Sequence, residues 1–181
     1  MWSEKLLARY FEGESFRIVT VHSRLVATLA LEVSGHLGLA SQENAFIEEA
    51  ALLHDIGVCQ VNAPKLGLHG KHPYILHGVL GRVILEKEGY PLHGLVCERH
   101  IGVGLTTADI LKQDLPLPHR DMCPVSLPEQ IICFADLFYS KNPAKLDHKK
   151  SVEQIRSNML AFGEDKLHIF DFWLKKFKCS G

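Results

Sequence analysis

The chain has 181 residues, of which 46% are hydrophobic and 23% charged, with a formal net charge of −1 and a mean hydropathy of +0.03. A chain of this length and composition is expected to form one soluble domain that needs neither disulfides nor a structural metal to hold its core. Because 20 basic and 21 acidic residues nearly cancel, the sequence argues against bulk nucleic-acid binding and membrane binding.

The spacing of apolar residues is mostly helical, and no repeat or linker divides the chain. We therefore predict an all-α fold, a single-domain helical bundle over residues 1–181, with its core motifs in 15–140 and C-terminal helices over 148–178 packing on the core. Helices are predicted over residues 15–37, 41 to about 57, 73–88, 91–101, 106–113, 126–140, 148–161 and 165–178.

Local signals refine these elements. Ser126 and Glu129 have the spacing of a capping box at a helix start. Gly78 and Gly81 would let another element approach the helix over 73–88, and the tripeptide GYP at 89–91 is expected to end that helix.

The cysteines and the N-terminus indicate a cellular setting. The five cysteines, including Cys179, form no CxxC pair, which argues against a disulfide framework and a thiolate zinc site. The first residues lack the apolar run of a signal peptide. We expect a cytoplasmic protein with reduced cysteines.

Eleven histidines are the unusual feature of the composition, and some of them fall on apolar helix faces. A buried polar group is costly unless it is paired or binds a metal. Imidazole and carboxylate groups hold Mn, Fe, Co, Ni or Zn while leaving positions open for water. Several helices contribute such groups, which predicts one shared metal centre built from His22, His54, Asp55, His77, His100 and Asp136.

The order of these residues resembles a known family. The segments VHSRLVA (21–27), ALLHDIG (51–57) and FAD (134–136) are similar to the signature of the HD-domain metal-dependent phosphohydrolases. The resemblance implies a helical bundle that binds a divalent metal and hydrolyses a phosphate ester or anhydride. The implied ligands are His22, His54, Asp55 and Asp136.

His77 and His100 resemble the extra ligands of dinuclear members, which include enzymes that split diadenosine tetraphosphate symmetrically. The segment ERHIG (98–102) resembles small HDIG proteins, for which the resemblance supplies no substrate. In phosphodiesterases that cleave cyclic dinucleotides, a GYP element follows paired histidines, whereas here it precedes the single His100. Hydrolysis of cyclic dinucleotides is therefore not expected.

The resulting hypothesis is a phosphohydrolase with one or two divalent ions, drawn from Mn, Fe, Co, Ni, Zn and Mg. Asp55 and His54 are the predicted catalytic residues, and either Asp55 or Asp136 could orient the attacking water. The expected partner is a small phosphorylated molecule, a nucleotide or dinucleoside polyphosphate, and the chain could form a homodimer.

Cationic side chains near the histidines are candidates for contacting phosphate. The prediction is placed on Lys71, Arg99 and Arg120, although an ordinary solvated charge is the simpler explanation of each, as it is for Lys65. Two alternatives stay open: an HD-like module that binds metal or nucleotide without turnover, and a di-iron oxygenase. Oxygen consumption against phosphate release would separate the oxygenase from the hydrolase.

Overall fold

The computed structural model describes residues 1–177, so the prediction for Cys179 lies outside the described residues. Within this range the fold is all-α, as predicted, with one small antiparallel pair of strands, β1 (Asn62–Ala63) and β2 (Leu68–His69). The α-helices are α1 (Trp2–Leu7), α2 (Gly13–Leu37), α3 (Ser41–Leu53), α4 (His77–Lys87), α5 (Pro91–Arg99), α6 (Thr107–Lys112), α7 (Leu127–Asp136), α8 (Val152–Phe162) and α9 (Glu164–Lys176).

Several local predictions are confirmed. Ser126 accepts a hydrogen bond from the backbone N–H of Glu129 and begins α7. Gly89 and Tyr90 lie between α4 and α5, and Pro91 begins α5. A Cβ at Gly78 would lie 2.7 Å from the carbonyl oxygen of Cys97, so the glycine permits the close contact between α4 and α5.

The structure also differs from the prediction in several places. The helix expected to run from 41 to about 57 ends at Leu53, and a 3-10 helix follows over Ile56–Gln60. The short helix α1 has no predicted counterpart, and the helix expected over 73–88 begins as a 3-10 turn over Tyr74–Leu76. The helix expected to reach residue 140 ends at Asp136. Beyond this end Lys150 Nζ donates to the carbonyl oxygens of Leu137 and Tyr139, and Pro143 has no N–H with which a longer helix could satisfy Tyr139.

The core surrounds α2, which packs against α3 and α7. One buried cluster joins these three helices to α8 and α9, where Phe134 of α7 contacts Phe170 and Phe177 with ring centroids 5.8 Å and 5.2 Å apart. A second cluster joins α1, the first half of α2 and α4 to the segment after α3. The N-terminal half of α2 packs in the second cluster, through Ile18 and Val19, and its C-terminal half packs in the first.

By length and composition, α2 is also the one helix of the described chain that could cross a membrane. Its most apolar stretch is 61% buried inside the bundle, against the neighbouring helices. In this structure α2 is therefore packed as a core helix of the bundle.

Candidate metal centre

The six predicted ligands converge between the two buried clusters. Five of the side chains are at most 6% exposed, and Asp136 is 17% exposed. His22 projects from the interior of α2, whereas the others stand at helix ends: His54 and Asp55 after α3, His77 at the start of α4, His100 after α5 and Asp136 at the end of α7.

Helix ends also orient three of the four imidazole rings. In each, Nδ1 lies 2.7 Å from the carbonyl oxygen three residues earlier: His54 to Ala51, His77 to Tyr74 and His100 to Cys97. The carbonyls of Ala51 and Cys97 lie in the last turns of α3 and α5, where carbonyl oxygens lack helical partners, and that of Tyr74 begins the 3-10 turn before α4. Because a carbonyl oxygen only accepts, each Nδ1 carries the proton, and Nε2 of the neutral ring keeps the lone pair a metal needs.

The first group of donors gathers around Oδ2 of Asp55. His22 Nε2 lies 3.2 Å and His54 Nε2 lies 3.0 Å from this oxygen. Oδ1 of Asp136 lies 3.0 Å from His22 Nε2 and 3.5 Å from His54 Nε2. This group therefore offers two nitrogen and two oxygen donors.

The second group gathers around Oδ1 of the same carboxylate. His77 Nε2 and His100 Nε2 each lie 3.6 Å from Oδ1 of Asp55 and 3.1 Å from one another. Asp55 therefore stands between the two groups and presents one oxygen to each.

These donors fit divalent metal ions. Ligand atoms about 2.1 Å from an ion lie roughly 3.0–3.5 Å from each other, which is close to the observed separations. Oδ1 of Asp55 is buried and has no hydrogen-bond partner within residues 1–177. Nε2 of His77 and Nε2 of His100 also lie 3.1 Å apart while both Nδ1 atoms face carbonyl oxygens, an arrangement that a cation between the two Nε2 atoms would relieve.

The charges of the site match this chemistry. Burial opposes ionisation, yet His54 and Lys141 hold the pKa of Asp55 well below its ordinary value, and Lys141 and His22 do the same for Asp136. Two negative charges, one buried and one at the edge of a cavity, therefore face the imidazoles.

The surroundings shift the pKa values of His77 and His54 in opposite directions. Burial and the neighbouring His100 lower the pKa of His77 to about 3, which keeps its ring neutral. Burial acts in the same direction on His54, but Asp55 and Asp136 outweigh it and raise the pKa of His54 to about 10. A proton and a metal ion compete for the same Nε2 lone pair, so metal binding would release a proton from His54.

One cation in the site was not found by the sequence reasoning. Lys141 Nζ lies 2.5 Å from Oδ2 of Asp55 and 3.4 Å from Nε2 of His22. Although burial opposes it, the charges of Asp55 and Asp136 raise the pKa of Lys141 above its ordinary value. Lys141 lies five residues after Asp136, beyond the end of α7, where helical periodicity carries no information about side-chain direction.

A cavity of about 570 Å³ opens beside Asp136, the most exposed of the six side chains. Its lining includes three lysines, Lys65, Lys141 and Lys150, together with the side chain of Tyr74. The donor groups are therefore reached from a cavity that carries positive charge.

The cations predicted to contact phosphate lie in other settings. Arg99 donates to Glu129 at 3.1 Å, Arg120 pairs with the buried Glu98, and Lys71 is exposed. None of the three lines the 570 Å³ cavity, whereas Lys65, which the prediction left aside, does. Contact of Lys71, Arg99 and Arg120 with substrate stays a prediction.

Comparison with known proteins assigns the class. The HD domain family matches residues 19–140, which span all six candidate ligands, and the chain belongs to this family. It is thereby a member of the metal-dependent phosphohydrolase superfamily, whose domains bind divalent metals.

Two curated relatives are similar over about half of the chain. An uncharacterized protein of Methanocaldococcus jannaschii is 37% identical over 98 residues, 53% of this chain and 50% of that protein. A protein of Picrophilus torridus named tRNA (cytidine(56)-2'-O)-methyltransferase is 32% identical over 95 residues, 52% of this chain and 24% of that protein. The chain thus matches half of the first relative and about a quarter of the second. No solved structure matches the chain.

Proposed function

We propose that the chain is a metal-dependent phosphohydrolase that cleaves a phosphate ester or anhydride, with a nucleotide or dinucleoside polyphosphate as its substrate. The observation that carries this proposal is the division of six donor residues, five of them buried, into two groups that share Asp55, beside a cavity lined by lysines. Divalent ions held there would lower the pKa of a bound water and polarise a phosphoryl oxygen.

Each side chain has a distinct part in this proposal. Asp55 is enclosed and faces both groups, so it would hold the two positions at a fixed separation. Asp136 is the carboxylate that borders the cavity, and we assign it the orientation of the attacking water. Lys65 and Lys141 line the same cavity, so their ammonium groups would donate hydrogen bonds to the oxygens of the phosphate.

The lysine-lined cavity favours hydrolysis over the oxygenase alternative, because dioxygen is neutral and gains little from cationic walls. The name of the relative from Picrophilus torridus supplies no substrate for this chain, since a formal net charge of −1 gives no basic excess for binding tRNA.

A phosphate-release screen tests the proposal. The purified chain is supplied separately with Mn, Co, Ni, Mg and Fe and assayed on nucleotides, dinucleoside polyphosphates and p-nitrophenyl phosphate, while oxygen consumption is recorded in parallel. We expect metal-dependent phosphate release that His54→Ala and Asp55→Ala each abolish, with helical content retained by circular dichroism. Wild-type turnover in either variant, or oxygen consumption without phosphate release, would contradict the proposal.

A further inference from the structure

A second cavity, of about 630 Å³, adjoins the lysine-lined one. Leu137 and Lys150 line both cavities. Two residues of its lining directly follow metal-ligand candidates along the chain, since Ile101 follows His100 and Leu137 follows Asp136. The second cavity therefore flanks the site where the phosphate would be cleaved.

The floor of this cavity is aliphatic. It is formed by buried or half-buried side chains of the segment after α5, the end of α7 and α8: Val103, Leu105, Leu137, Ile155 and Met159. Such a surface binds the faces of an uncharged organic group and gives a second phosphate no hydrogen bonds.

The rim is different. Gln113 and Asn158 border the cavity, are exposed, and make no side-chain hydrogen bond within residues 1–177. Their amides can both donate and accept. The two lysines of the lining are already engaged, because Lys166 pairs with Asp109 at 2.5 Å and Lys150 donates to backbone carbonyls.

We propose that the second cavity is the subsite for the base of a nucleoside phosphate, with Asn158 and Gln113 reading the polar edge of the base. A base has flat apolar faces for the aliphatic floor and a hydrogen-bonding edge for the rim amides, whereas an alkyl chain would leave both amides unused. This inference rests on the proposed function. In the reaction, water adds its oxygen to phosphorus, the P–O bond to the nucleoside breaks, the leaving oxygen takes up a proton, and inorganic phosphate is released.

The subsite is formed in part by α8, which lies outside the residues that match the HD domain family. Ile155, Asn158 and Met159 lie beyond residue 140, where the match to the HD domain family ends. The wall of the subsite is thus built by a helix outside the part that carries the ligands, and α8 would determine which base is accepted.

The test compares substrates that differ only in the organic group. Phosphate release is measured for ribose 5-phosphate, the four nucleoside 5′-monophosphates and octyl phosphate, with the metal ion that is most active in the screen. We expect kcat/KM for at least one nucleoside phosphate to exceed that for ribose 5-phosphate tenfold or more. Equal values, or a higher value for octyl phosphate than for every nucleotide, would overturn the assignment of a base.

Two substitutions on α8 test whether the preference for nucleotides over ribose 5-phosphate arises in the second cavity. Ala161 lies exposed at the cavity rim, so Ala161→Trp would fill the cavity without disturbing the core, and the ratio of nucleotide to ribose 5-phosphate kcat/KM should fall toward one. Ser157→Trp is the matched control, because Ser157 is exposed on the same helix and does not line the cavity. A ratio unchanged in Ala161→Trp would overturn the proposal.

A binding measurement keeps this inference separate from the hydrolase assignment. Adenosine, guanosine, cytidine and uridine carry no phosphate, and their binding is followed by saturation-transfer NMR. If no phosphate is hydrolysed, the hydrolase assignment fails, while binding of a nucleoside that Ala161→Trp weakens fivefold or more still supports the subsite. No binding of any nucleoside to the wild-type chain would overturn the subsite.

Discussion

The ammonium of Lys141 lies 2.5 Å from the same Asp55 oxygen that faces His22 and His54. A positive charge is therefore already paired with one of the two donor groups. Like charges repel most strongly where water is scarce, so a divalent ion in this group would displace the ammonium from Oδ2 toward the cavity that Lys141 also lines.

Replacing Lys141 should separate its effect on the stability of the metal-free protein from its effect on metal binding. In Lys141→Met, Asp55 and Asp136 lose a counter-charge, so we expect the Tm of the metal-free protein to fall. The same loss removes competition for the carboxylates, so we expect Mn to bind more tightly and to raise Tm by more than it does in the wild type. Calorimetric titration with Mn and thermal unfolding measure both quantities.

Lys65→Met is the control, since Lys65 lines the same cavity and is exposed without an ion pair in the described chain. It should leave the Tm of the metal-free protein unchanged. Weaker Mn binding in Lys141→Met than in the wild type would show that the lysine does not compete with the metal.

The second donor group makes a prediction about metal content. His77 and His100 face only Oδ1 of Asp55, so we expect His77→Ala to lose about one equivalent of bound metal and to retain the ion at the first group. Metal analysis of the purified, reconstituted protein measures the change. His36→Ala, on the last turn of α2 and away from the site, should keep the wild-type content. Unchanged content in His77→Ala would indicate a single metal position.

Gly57 sets the approach of the two backbones that carry the donor groups. A Cβ there would lie 2.0 Å from the carbonyl oxygen of His77 and 2.3 Å from the amide nitrogen of Gly81. Neither backbone group can move alone, so we expect Gly57→Ala to lower the free energy of unfolding by about 3 kcal/mol or more.

Chemical denaturation checks this value against Gly35→Ala. Gly35 lies within α2 with nothing within 4 Å of an added Cβ, so alanine there should raise stability by roughly 0.5–1 kcal/mol. Equal stability of the two variants would mean that α4 moves away without cost.

Glu98 joins two elements through a buried carboxylate that is 2% exposed. Its Oε2 lies 2.5 Å from Arg82 Nη1, and its Oε1 pairs with Arg120. We expect Glu98→Gln to cost roughly 1–3 kcal/mol of unfolding free energy, moderated because both arginines reach solvent. Glu86→Gln removes an exposed pair with the same Arg82 and should cost less than about 1 kcal/mol in the same denaturation experiment. A larger loss in Glu86→Gln than in Glu98→Gln would contradict this prediction.

The thiol of Cys59 provides a prediction about pH. Burial raises the pKa of Cys59 to about 11, so at pH 9 about 1% of the native thiol is ionised, against about half in an unfolded chain. Because the thiolate is the nucleophile, we expect alkylation by iodoacetamide at pH 9 to be about 50-fold slower in the native protein than in urea. Peptide mapping by mass spectrometry reports the rate at this cysteine.

The linked effect on stability has a definite sign. The folded state keeps the proton of Cys59 to a higher pH than the unfolded state, so the free energy of unfolding falls as the pH rises from about 9 to 11. Cys59→Ser should weaken this dependence. Equal alkylation rates in native protein and urea would contradict the shifted pKa.

The helices and the convergence of polar groups could be predicted because both follow from local order along the chain. His22 and Asp136 stand out as polar groups on apolar helix faces, and α7 begins at a capping box readable from Ser126 and Glu129. Which oxygen of Asp55 faces which pair of histidines could not be predicted, because it depends on the relative orientation of α4 and α5.

The partners of the cationic side chains also could not be predicted from the sequence. Arg99 and Arg120 are near the histidines in sequence, but the carboxylates they meet, Glu129 and Glu98, are set by tertiary contacts. Lys141 follows α7 in an irregular segment, where only the fold brings it to Asp55. Sequence proximity to a ligand is therefore a weaker guide for charged side chains than burial on a helix face.

The separation between α8 and the helices that carry the six candidate ligands has an evolutionary consequence. Substitutions at Asn158 or Met159 change a cavity wall without touching any of the six donors, and substitutions at the donors leave that wall intact. Two proteins with the same ligands could thus process different molecules once the helix after residue 150 differs. Sequence similarity across residues 19–140 would then group such proteins together, and α8 would be the place to look for what distinguishes them.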